Sequence, residues 1–485
     1  MQKLILLLSF LCLQFSASAQ MFSLTVANGY GSGNYSVGDT VDIWSAAIPI
    51  TSSFDKWTGN VATVESIDEW HTTLVMPAQN ISVSANLKTI GSITINYEKI
   101  MGRDTLKNVY SYFPPNFKGV IFCFHGTGGA ASNWVNSFEY RQFLNDAIAD
   151  TFAFVITEAE EITRQTDFNL DGKLRWATYP IDTINNVDYV NIKLLRDTFS
   201  LRGITNPATR YYAVGMSNCG NFAPAVATAF SWRAAVSYCA QSAQGLVSQT
   251  TVPIQWCMAK YDNNENVGSQ GNAAALANYN TLLSRGICTK YFSHDRSPLY
   301  AERFMRSGTI NQSIANNLLG EFRSNQLIDS NNYLLFASDS IAAKITANPS
   351  AYPVFLSMNG LQRAFAASQV DVMYAAHQFY SDYNKRTLHF FDFLCDSMSV
   401  PTNILDIEGV VVSLFPNPFS TQLTLSLADN DQTAISFFNF LGQQVLQQTF
   451  TKSTKINTEQ LADGIYFYEL SNAKGTLKTG KIVKQ

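Results

Sequence analysis

Short apolar runs alternate with helix-compatible stretches through the middle of this chain. The runs at 119–124, 152–156, 211–214 and 234–238 carry almost no polar residue. Strands that alternate with helices form a mostly parallel sheet, and such a sheet is covered by helices on both faces. The pattern therefore predicts an α/β fold for residues 90–397.

The two flanks of this segment have a different pattern. Residues 20–89 and 412–485 contain short strand-forming runs separated by turns, which is typical of small all-β domains. We therefore divide the chain of 485 residues into three domains, with residues 398–411 as a linker. The net charge of −4 and the lack of a basic run argue against nucleic acid as a partner.

Residues 1–19 have the features of a signal peptide. Lys3 supplies the positive charge, an apolar run extends from Leu4 to Leu13, and small residues precede Gln20. This run is shorter than the roughly 20 apolar residues that span a bilayer, and no later segment reaches that length. We therefore expect an exported protein without a membrane span.

A serine stands at a sharp strand-to-helix junction. The strand-like run 211–214 leads into the sequence GMSNCG at 215–220, and a helix-compatible stretch follows. Small residues beside the serine suit the tight turn of a nucleophile elbow, G-x-S-x-G, although Cys219 stands where the second glycine is expected. Ser217 is therefore the candidate nucleophile.

A glycine-rich loop precedes this serine by about 90 residues. The strand-like run 120–124 ends in the sequence HGTGG at 125–129. Such a loop lets a backbone N–H approach a developing oxyanion, and we assign the oxyanion hole to the N–H groups of Thr127 and Asn218. A phosphate-binding loop is the alternative, but the GxxxxGK pattern is absent. His125 is expected to shape the loop.

The loop at 125–129 and the sequence at 215–220 together resemble the polyhydroxybutyrate-depolymerase and feruloyl-esterase group of α/β-hydrolases. The sequence VDYV at 187–190 falls where that group begins a helix. The likeness covers about residues 105–292 and departs from the group at Cys219. It implies an α/β-hydrolase fold and a serine esterase that works through an acyl-enzyme.

The orienting acid in this fold follows the nucleophile along the chain. Asp262 comes directly after the strand-like run 253–259, at the carboxyl end of a strand. Glu265 is the alternative acid.

The base in this fold lies in the loop before the last helix, which favours His377 ahead of the helix-like stretch 386–394. His294, after a strand-like run closer to Asp262, is the alternative. With His377 as the base, residues 295–370 become an insertion, which we expect to form a partly helical cap.

The first domain resembles the divergent B-repeat module of bacterial surface proteins. The resemblance rests on YSVGDTV at 35–41, FDKWTG at 54–59 and MPA at 76–78. The tryptophans of this domain are expected in its core, with a sugar-stacking face as the alternative.

The last domain resembles the C-terminal sorting domain of type IX secretion substrates. LFPNPF at 414–419, FLGQ at 440–443 and LADGIY at 461–466 carry the likeness, which extends to the final strand. It implies that the type IX secretion machinery is a partner, that the protein is secreted or held at the cell surface, and that this domain is normally removed on arrival.

Two further features have open interpretations. Six cysteines remain after signal cleavage, and Cys219 with Cys239 is the most attractive disulfide, because Cys239 is near the end of the strand beside the elbow. The sequence DFNLDG at 167–172 copies the first half of an EF-hand loop, but Thr178 replaces the bidentate Glu. A polar loop is expected there, with calcium at Asp167, Asn169 and Asp171, completed by Asp182 or Asp188, as the alternative.

These observations predict a secreted serine carboxylic-ester hydrolase that acts on esters of plant polymers or polyesters. Ser217 attacks, His377 takes its proton and Asp262 orients the imidazole. A serine peptidase on the same scaffold, and a surface-binding protein with a degenerate hydrolase domain, remain alternatives. No cofactor is expected, and no Cys-x-x-Cys spacing or Cys/His cluster indicates a metal.

Overall fold

The computed structural model describes residues 20–395, 412–415, 419–427, 431–439, 443–472 and 475–484. The predicted signal peptide and the predicted linker lie outside the described residues. The chain divides into two units between Asp396 and Ser397.

The first unit begins with seven strands in two small sheets. One sheet has the order β3-β1-β7-β5 and the other the order β2-β4-β6. The strands are β1 (Met21–Ala27), β2 (Gly29–Tyr30), β3 (Gly33–Ser36), β4 (Thr40–Ser45), β5 (Ser52–Gly59), β6 (His71–Val75) and β7 (Ile81–Thr89). Trp44, Trp57 and Trp70 are only 1–8 % exposed, so they form the core of this N-terminal module and not a sugar-stacking face.

An eight-stranded sheet forms the centre of the unit, in the order β15-β14-β13-β12-β10-β11-β9-β8. Its strands are β8 (Asn96–Met101), β9 (Leu106–Tyr112), β10 (Val120–Phe124), β11 (Ala153–Ile156), β12 (Tyr211–Met216), β13 (Ala234–Tyr238), β14 (Ile254–Ala259) and β15 (Thr289–His294). Strands β10 to β15 pair in parallel, whereas β8 and β9 are antiparallel to their neighbours. The predicted mostly parallel sheet of an α/β-hydrolase is therefore confirmed.

Helices cover both faces of this sheet. Ile121 and Cys123 belong to one apolar cluster, whereas Val120 and Phe122 belong to another, because alternate side chains of a strand point to opposite faces. The helices between the strands are α1 (Ser132–Asn136), α2 (Phe138–Ala149), α3 (Glu160–Arg164), α4 (Val187–Leu201), α5 (Asn218–Ala229), α6 (Gln244–Val247) and α7 (Gly268–Ser284).

A helical insert follows β15 and precedes the last helix of the unit. It contains α8 (Ala301–Met305), α9 (Gln312–Ser324), α10 (Ser338–Ala347), α11 (Pro353–Ser357) and α12 (Gly360–Tyr374), and a short 3-10 helix at Pro349–Ala351. Its residues form an apolar cluster of their own around Leu318 and Phe322. A second 3-10 helix at Ser381–Tyr383 leads into α13 (Asn384–Phe393). That this insert acts as a cap stays a prediction.

The candidate disulfide between Cys219 and Cys239 is not formed. Both are buried free thiols, and the structure pairs Cys288 with Cys395 at a Cα–Cα distance of 5.5 Å. The Cys219 thiol lies 2.7 Å from the carbonyl oxygen of Phe124, whereas the Cys239 thiol lies 3.5 Å from that of Gln378. The two side chains therefore have different partners although their strands are neighbours.

The second unit is all-β, as predicted. Its strands are β16 (Val412–Phe415), β17 (Gln422–Leu427), β18 (Gln432–Phe438), β19 (Gln444–Thr451), β20 (Ser453–Asn457), β21 (Gly464–Asn472) and β22 (Gly475–Lys484). They form sheets of order β16-β17-β20 and β19-β18-β21-β22 around one apolar cluster. In the part of the chain that the structure describes, every helix is too short or too polar to cross a bilayer.

Candidate active site

Ser217 lies on a strained turn between β12 and α5. Its backbone has φ 62° and ψ −128°, a conformation that costs energy for a residue with a side chain. A Cβ added to Gly215 would lie 2.3 Å from the carbonyl oxygen of Cys219, and one added to Gly220 would lie 2.8 Å from the Cβ of Ala240. Both glycines are therefore required sterically, which explains the small residues around the serine.

Cys219 fits the position where a glycine was expected because its thiol has polar neighbours. The thiol lies 2.7 Å from the carbonyl oxygen of Phe124 and 2.9 Å from that of Met216, whose N–H lies 3.0 Å from the sulfur. Burial raises the pKa of this thiol, so it stays protonated. The side chain therefore fills a small polar space between β10 and the elbow.

The structure brings Ser217, His377 and Asp262 into one hydrogen-bonded chain. Ser217 Oγ lies 2.8 Å from Nε2 of His377, and Nδ1 of the same ring lies 2.7 Å from Oδ2 of Asp262. Asp262 is buried, while Ser217 and His377 are partly exposed. A proton can therefore pass from the hydroxyl to the ring while a carboxylate holds the opposite nitrogen.

Two loops hold the acid and the histidine. Asp262 follows β14, and its Oδ1 accepts a hydrogen bond of 2.9 Å from the N–H of Asn264. His377 follows α12, which ends at Ala375 in a left-handed conformation with φ 57°. The N–H of His377 donates to Oδ1 of Asn263 at 3.2 Å, so the loop after β14 also positions the histidine.

The alternative acid and base lie elsewhere. Glu265 is exposed and forms an ion pair of 3.2 Å with Lys173. His294 is buried, stacks on Tyr380 at a centroid distance of 4.4 Å, and has its Nε2 2.8 Å from the carbonyl oxygen of Val372. Burial lowers the pKa of His294.

The glycine-rich loop packs directly against the serine. A Cβ added to Gly126 would lie 3.4 Å from the Cβ of Ser217. Asn218 is the first residue of α5, where backbone N–H groups lack partners within the helix. Among the described residues, the N–H groups of Thr127 and Asn218 have no protein acceptor. The glycine-rich loop is thus next to the serine, and the assignment of the oxyanion hole to these two N–H groups stays a prediction.

His125 shapes this loop, as the sequence predicts. Its Nε2 accepts a hydrogen bond of 3.1 Å from the N–H of Ala159, and its Nδ1 lies 2.8 Å from the carbonyl oxygen of Gly126. Burial lowers the pKa of His125 to about 4, which keeps the ring neutral at physiological pH.

The loop at 167–172 directs its polar side chains to its own backbone. Asp167 Oδ2 accepts from the N–H of Gly172 at 2.7 Å, and Asp171 Oδ1 accepts from that of Lys173 at 2.9 Å. Asp171 also pairs with Arg175. Asp188, one of the proposed additional ligands, instead accepts backbone N–H groups from Glu160 and Ala177 at 2.8 Å. This arrangement fits the expected polar loop.

Cys239, which the sequence placed beside the elbow, also lies beside Asp262 and His377, which the sequence did not suggest. Its sulfur, a carboxylate oxygen of Asp262 and a ring nitrogen of His377 lie within 4.8 Å of one another. Cys239 directly follows β13 in the left-handed region, with φ 48°. Its place at the carboxyl end of a parallel strand is the same signal that identified Asp262.

Two family models match the flanking domains. Residues 413–485 match the secretion system C-terminal sorting domain, and residues 22–91 match the divergent InlB B-repeat domain. Both resemblances are thereby confirmed, and the sorting domain indicates export to the cell surface or secretion. No curated protein sequence shows significant similarity to this chain.

Solved structures that are similar to the chain include α/β-hydrolases. A ferulic acid esterase is 10 % identical, with 41 % of this chain and 89 % of that chain covered and a TM-score of 0.32. An S-formylglutathione hydrolase from Agrobacterium tumefaciens is 14 % identical, with 44 % and 90 % covered and a TM-score of 0.34. A dienelactone hydrolase from Anabaena variabilis is 13 % identical, with 42 % and 87 % covered and a TM-score of 0.31. Similarity at this level transfers no activity, and the fold assignment rests on strand order and direction.

Proposed function

We propose that this protein is a secreted serine carboxylic-ester hydrolase that acts on esters of plant polymers or polyesters. The observation that carries the proposal is the chain of two hydrogen bonds, 2.8 Å from Ser217 to His377 and 2.7 Å from His377 to Asp262. The strained backbone of Ser217 supports it, because strain of this kind persists where the surrounding structure maintains it for function.

The reaction has two halves. In the first, Ser217 Oγ attacks the ester carbonyl while His377 Nε2 takes its proton, and the N–H groups of Thr127 and Asn218 stabilise the oxyanion. The imidazolium, held by Asp262, then gives the proton to the departing alcohol. In the second half, His377 takes a proton from water, which attacks the acyl-enzyme, and the same proton returns to Ser217 as the acid leaves.

Hydrolysis of p-nitrophenyl acetate and methyl ferulate by the protein without its predicted signal peptide, residues 20–485, tests this proposal. We expect Ser217→Ala and His377→Gln to lower kcat/KM by about four to six orders of magnitude, since members of such a unit act together. His389→Gln is the matched control, because His389 lies on α13 against Phe393 at a centroid distance of 4.7 Å.

Three results would overturn parts of the proposal. Loss of turnover in His294→Gln but not in His377→Gln would make the base assignment wrong. Faster cleavage of p-nitroacetanilide than of p-nitrophenyl acetate would favour the peptidase alternative. No turnover of any ester by the folded wild type would favour a binding protein.

A further inference from the structure

A buried thiol borders the Asp262–His377 pair. The sulfur of Cys239, a carboxylate oxygen of Asp262 and a ring nitrogen of His377 lie within 4.8 Å of one another. Cys239 is fully buried and is a free cysteine. Among the described residues, this is the only group of three His, Cys, Asp or Glu side chains whose ligand atoms lie this close together. The mechanism above makes no use of this thiol.

The three atom types are those that zinc prefers. Zinc binds cysteine sulfur at about 2.3 Å, histidine nitrogen at about 2.0–2.1 Å and carboxylate oxygen at about 2.0–2.2 Å. In a tetrahedral site with these bond lengths, neighbouring ligand atoms are about 3.3–3.8 Å apart. Ligand atoms within 4.8 Å therefore need to move by about 1 Å to hold the ion, and Nδ1 of His377 and Oδ2 of Asp262, which are 2.7 Å apart, need to separate. Magnesium and calcium prefer sites made of oxygen ligands, which this site is not.

We propose that Cys239, Asp262 and Nδ1 of His377 form an inhibitory site for zinc and similar thiophilic divalent cations. The inhibitory effect rests on the proposed function, whereas binding of the cation does not. Ser217 and His377 are partly exposed, whereas Cys239 is buried. The cation would therefore reach Cys239 from the solvent side, where Ser217 and His377 lie.

Binding would disable the base through a change of tautomer. In the free site, Nδ1 of His377 faces Asp262 at 2.7 Å and Nε2 faces Ser217 at 2.8 Å. When the cation takes Nδ1, the single proton of the neutral ring resides on Nε2, which then cannot accept the proton of Ser217. The thiol of Cys239 gives its proton to solvent and becomes a metal-bound thiolate. One proton is released for each cation bound, and no electron is transferred.

Titration of the metal-free, full-length mature protein with cobalt(II) tests binding directly. A cobalt–thiolate bond gives a charge-transfer band in the near ultraviolet, and we expect one band that saturates at one cobalt per chain and disappears when zinc is added. Cys239→Ala should lack the band. Cys123→Ala should keep it, because Cys123 is also a buried free thiol but lies inside β10. Absence of the band in the wild type would overturn the proposal.

Inhibition is measured separately. Zinc should inhibit ester hydrolysis by the wild type and by Cys123→Ala, a chelator should restore the rate, and magnesium should have no effect. Each protein's rate is normalised to its own rate without metal. On this scale, half-inhibition of Cys239→Ala should require at least tenfold more zinc than half-inhibition of the wild type. Equal zinc sensitivity in Cys239→Ala would overturn the proposal.

Two outcomes separate this proposal from the proposed function. If Cys239→Ala does not fold, Cys239→Ser replaces it, since a hydroxyl also gives no thiolate band. If the wild type hydrolyses no ester but shows a cobalt band that depends on Cys239, the metal site stands and the proposed function fails.

Discussion

The guanidinium carbon of Arg306 lies 3.9 Å from the centre of the Trp70 ring. Arg306 follows α8 in the helical insert, and it also forms an ion pair of 3.2 Å with Glu139 on α2. Trp70 belongs to the N-terminal module, so three parts of the first unit meet at the buried side chain of Arg306, which makes a cation–π contact with one and an ion pair with another. The module is therefore integrated into the first unit.

Replacement of Trp70 should weaken the whole first unit. Trp70→Ala removes a buried aromatic side chain, and we expect it to lower the free energy of unfolding by about 3–5 kcal/mol. Denaturant unfolding followed by circular dichroism measures this change. Tyr97→Ala is the control, because Tyr97 is 50 % exposed. A loss below about 1 kcal/mol for Trp70→Ala would show that the contact is only marginal.

The close packing behind the nucleophile elbow can be tested with two glycines. A Cβ at Gly220 would lie 2.8 Å from the Cβ of Ala240 and 2.9 Å from the carbonyl oxygen of Tyr238, whereas one at Gly245 would meet nothing within 4 Å. Gly220→Ala should therefore lower the free energy of unfolding by about 1–3 kcal/mol, and Gly245→Ala should not. Thermal or chemical unfolding of both variants measures the difference, and equal stability would contradict the packing.

Asp262 and Glu265 should differ sharply in their effect on turnover. Asp262→Asn places an amide beside Nδ1 of His377 and favours the wrong imidazole tautomer, so kcat should fall by about three to four orders of magnitude. Glu265→Gln breaks an exposed ion pair with Lys173, its Oε1 otherwise accepting only a long hydrogen bond of 3.4 Å from Asn266, and it should leave kcat unchanged. Steady-state kinetics on an activated ester compares the two. A larger loss in Glu265→Gln would identify Glu265 as the acid.

Protonation of His125 should destabilise the protein in mild acid. Its pKa is about 4 in the folded state, below the ordinary value of 6.5, so between these pH values the unfolded chain binds the proton more readily. The contribution is fully present above pH 6.5 and is lost as the pH falls to about 4, by about 3 kcal/mol in total. His125→Gln removes this proton site. We expect the stability advantage of the wild type over the variant to shrink by that amount between pH 7 and pH 4. A constant difference would contradict the burial of a neutral ring.

The sequence allowed Ser217, Asp262 and His377 to be located because they come after strands or before the last helix, and the carboxyl ends of parallel strands meet at one edge of a sheet. The strand pattern does not show in which direction a side chain at that edge points. Cys219 and Cys239 follow neighbouring strands, yet one thiol faces Phe124 and the other faces Gln378. For this reason the candidate pairing of Cys219 with Cys239 was wrong, and the position of Cys239 beside Asp262 and His377 was not predicted.

The contact between Trp70 and Arg306 could not be predicted from the sequence either. It joins residues that are far apart in the chain and belong to domains with different sequence patterns. The sequence predicted that Trp70 would lie in the core of the small N-terminal module. It carried no information about which charged residue of the insert would lie on its ring.

The disulfide between Cys288 and Cys395 has a consequence for maturation. Cys395 lies two residues beyond the end of α13, and its partner directly precedes β15. A protease that trims the chain from its carboxyl end as far as Cys395 would therefore leave α13 covalently tied to the central sheet. The first unit is in this way closed by a disulfide at Cys395, and loss of the sorting domain would leave that disulfide in place.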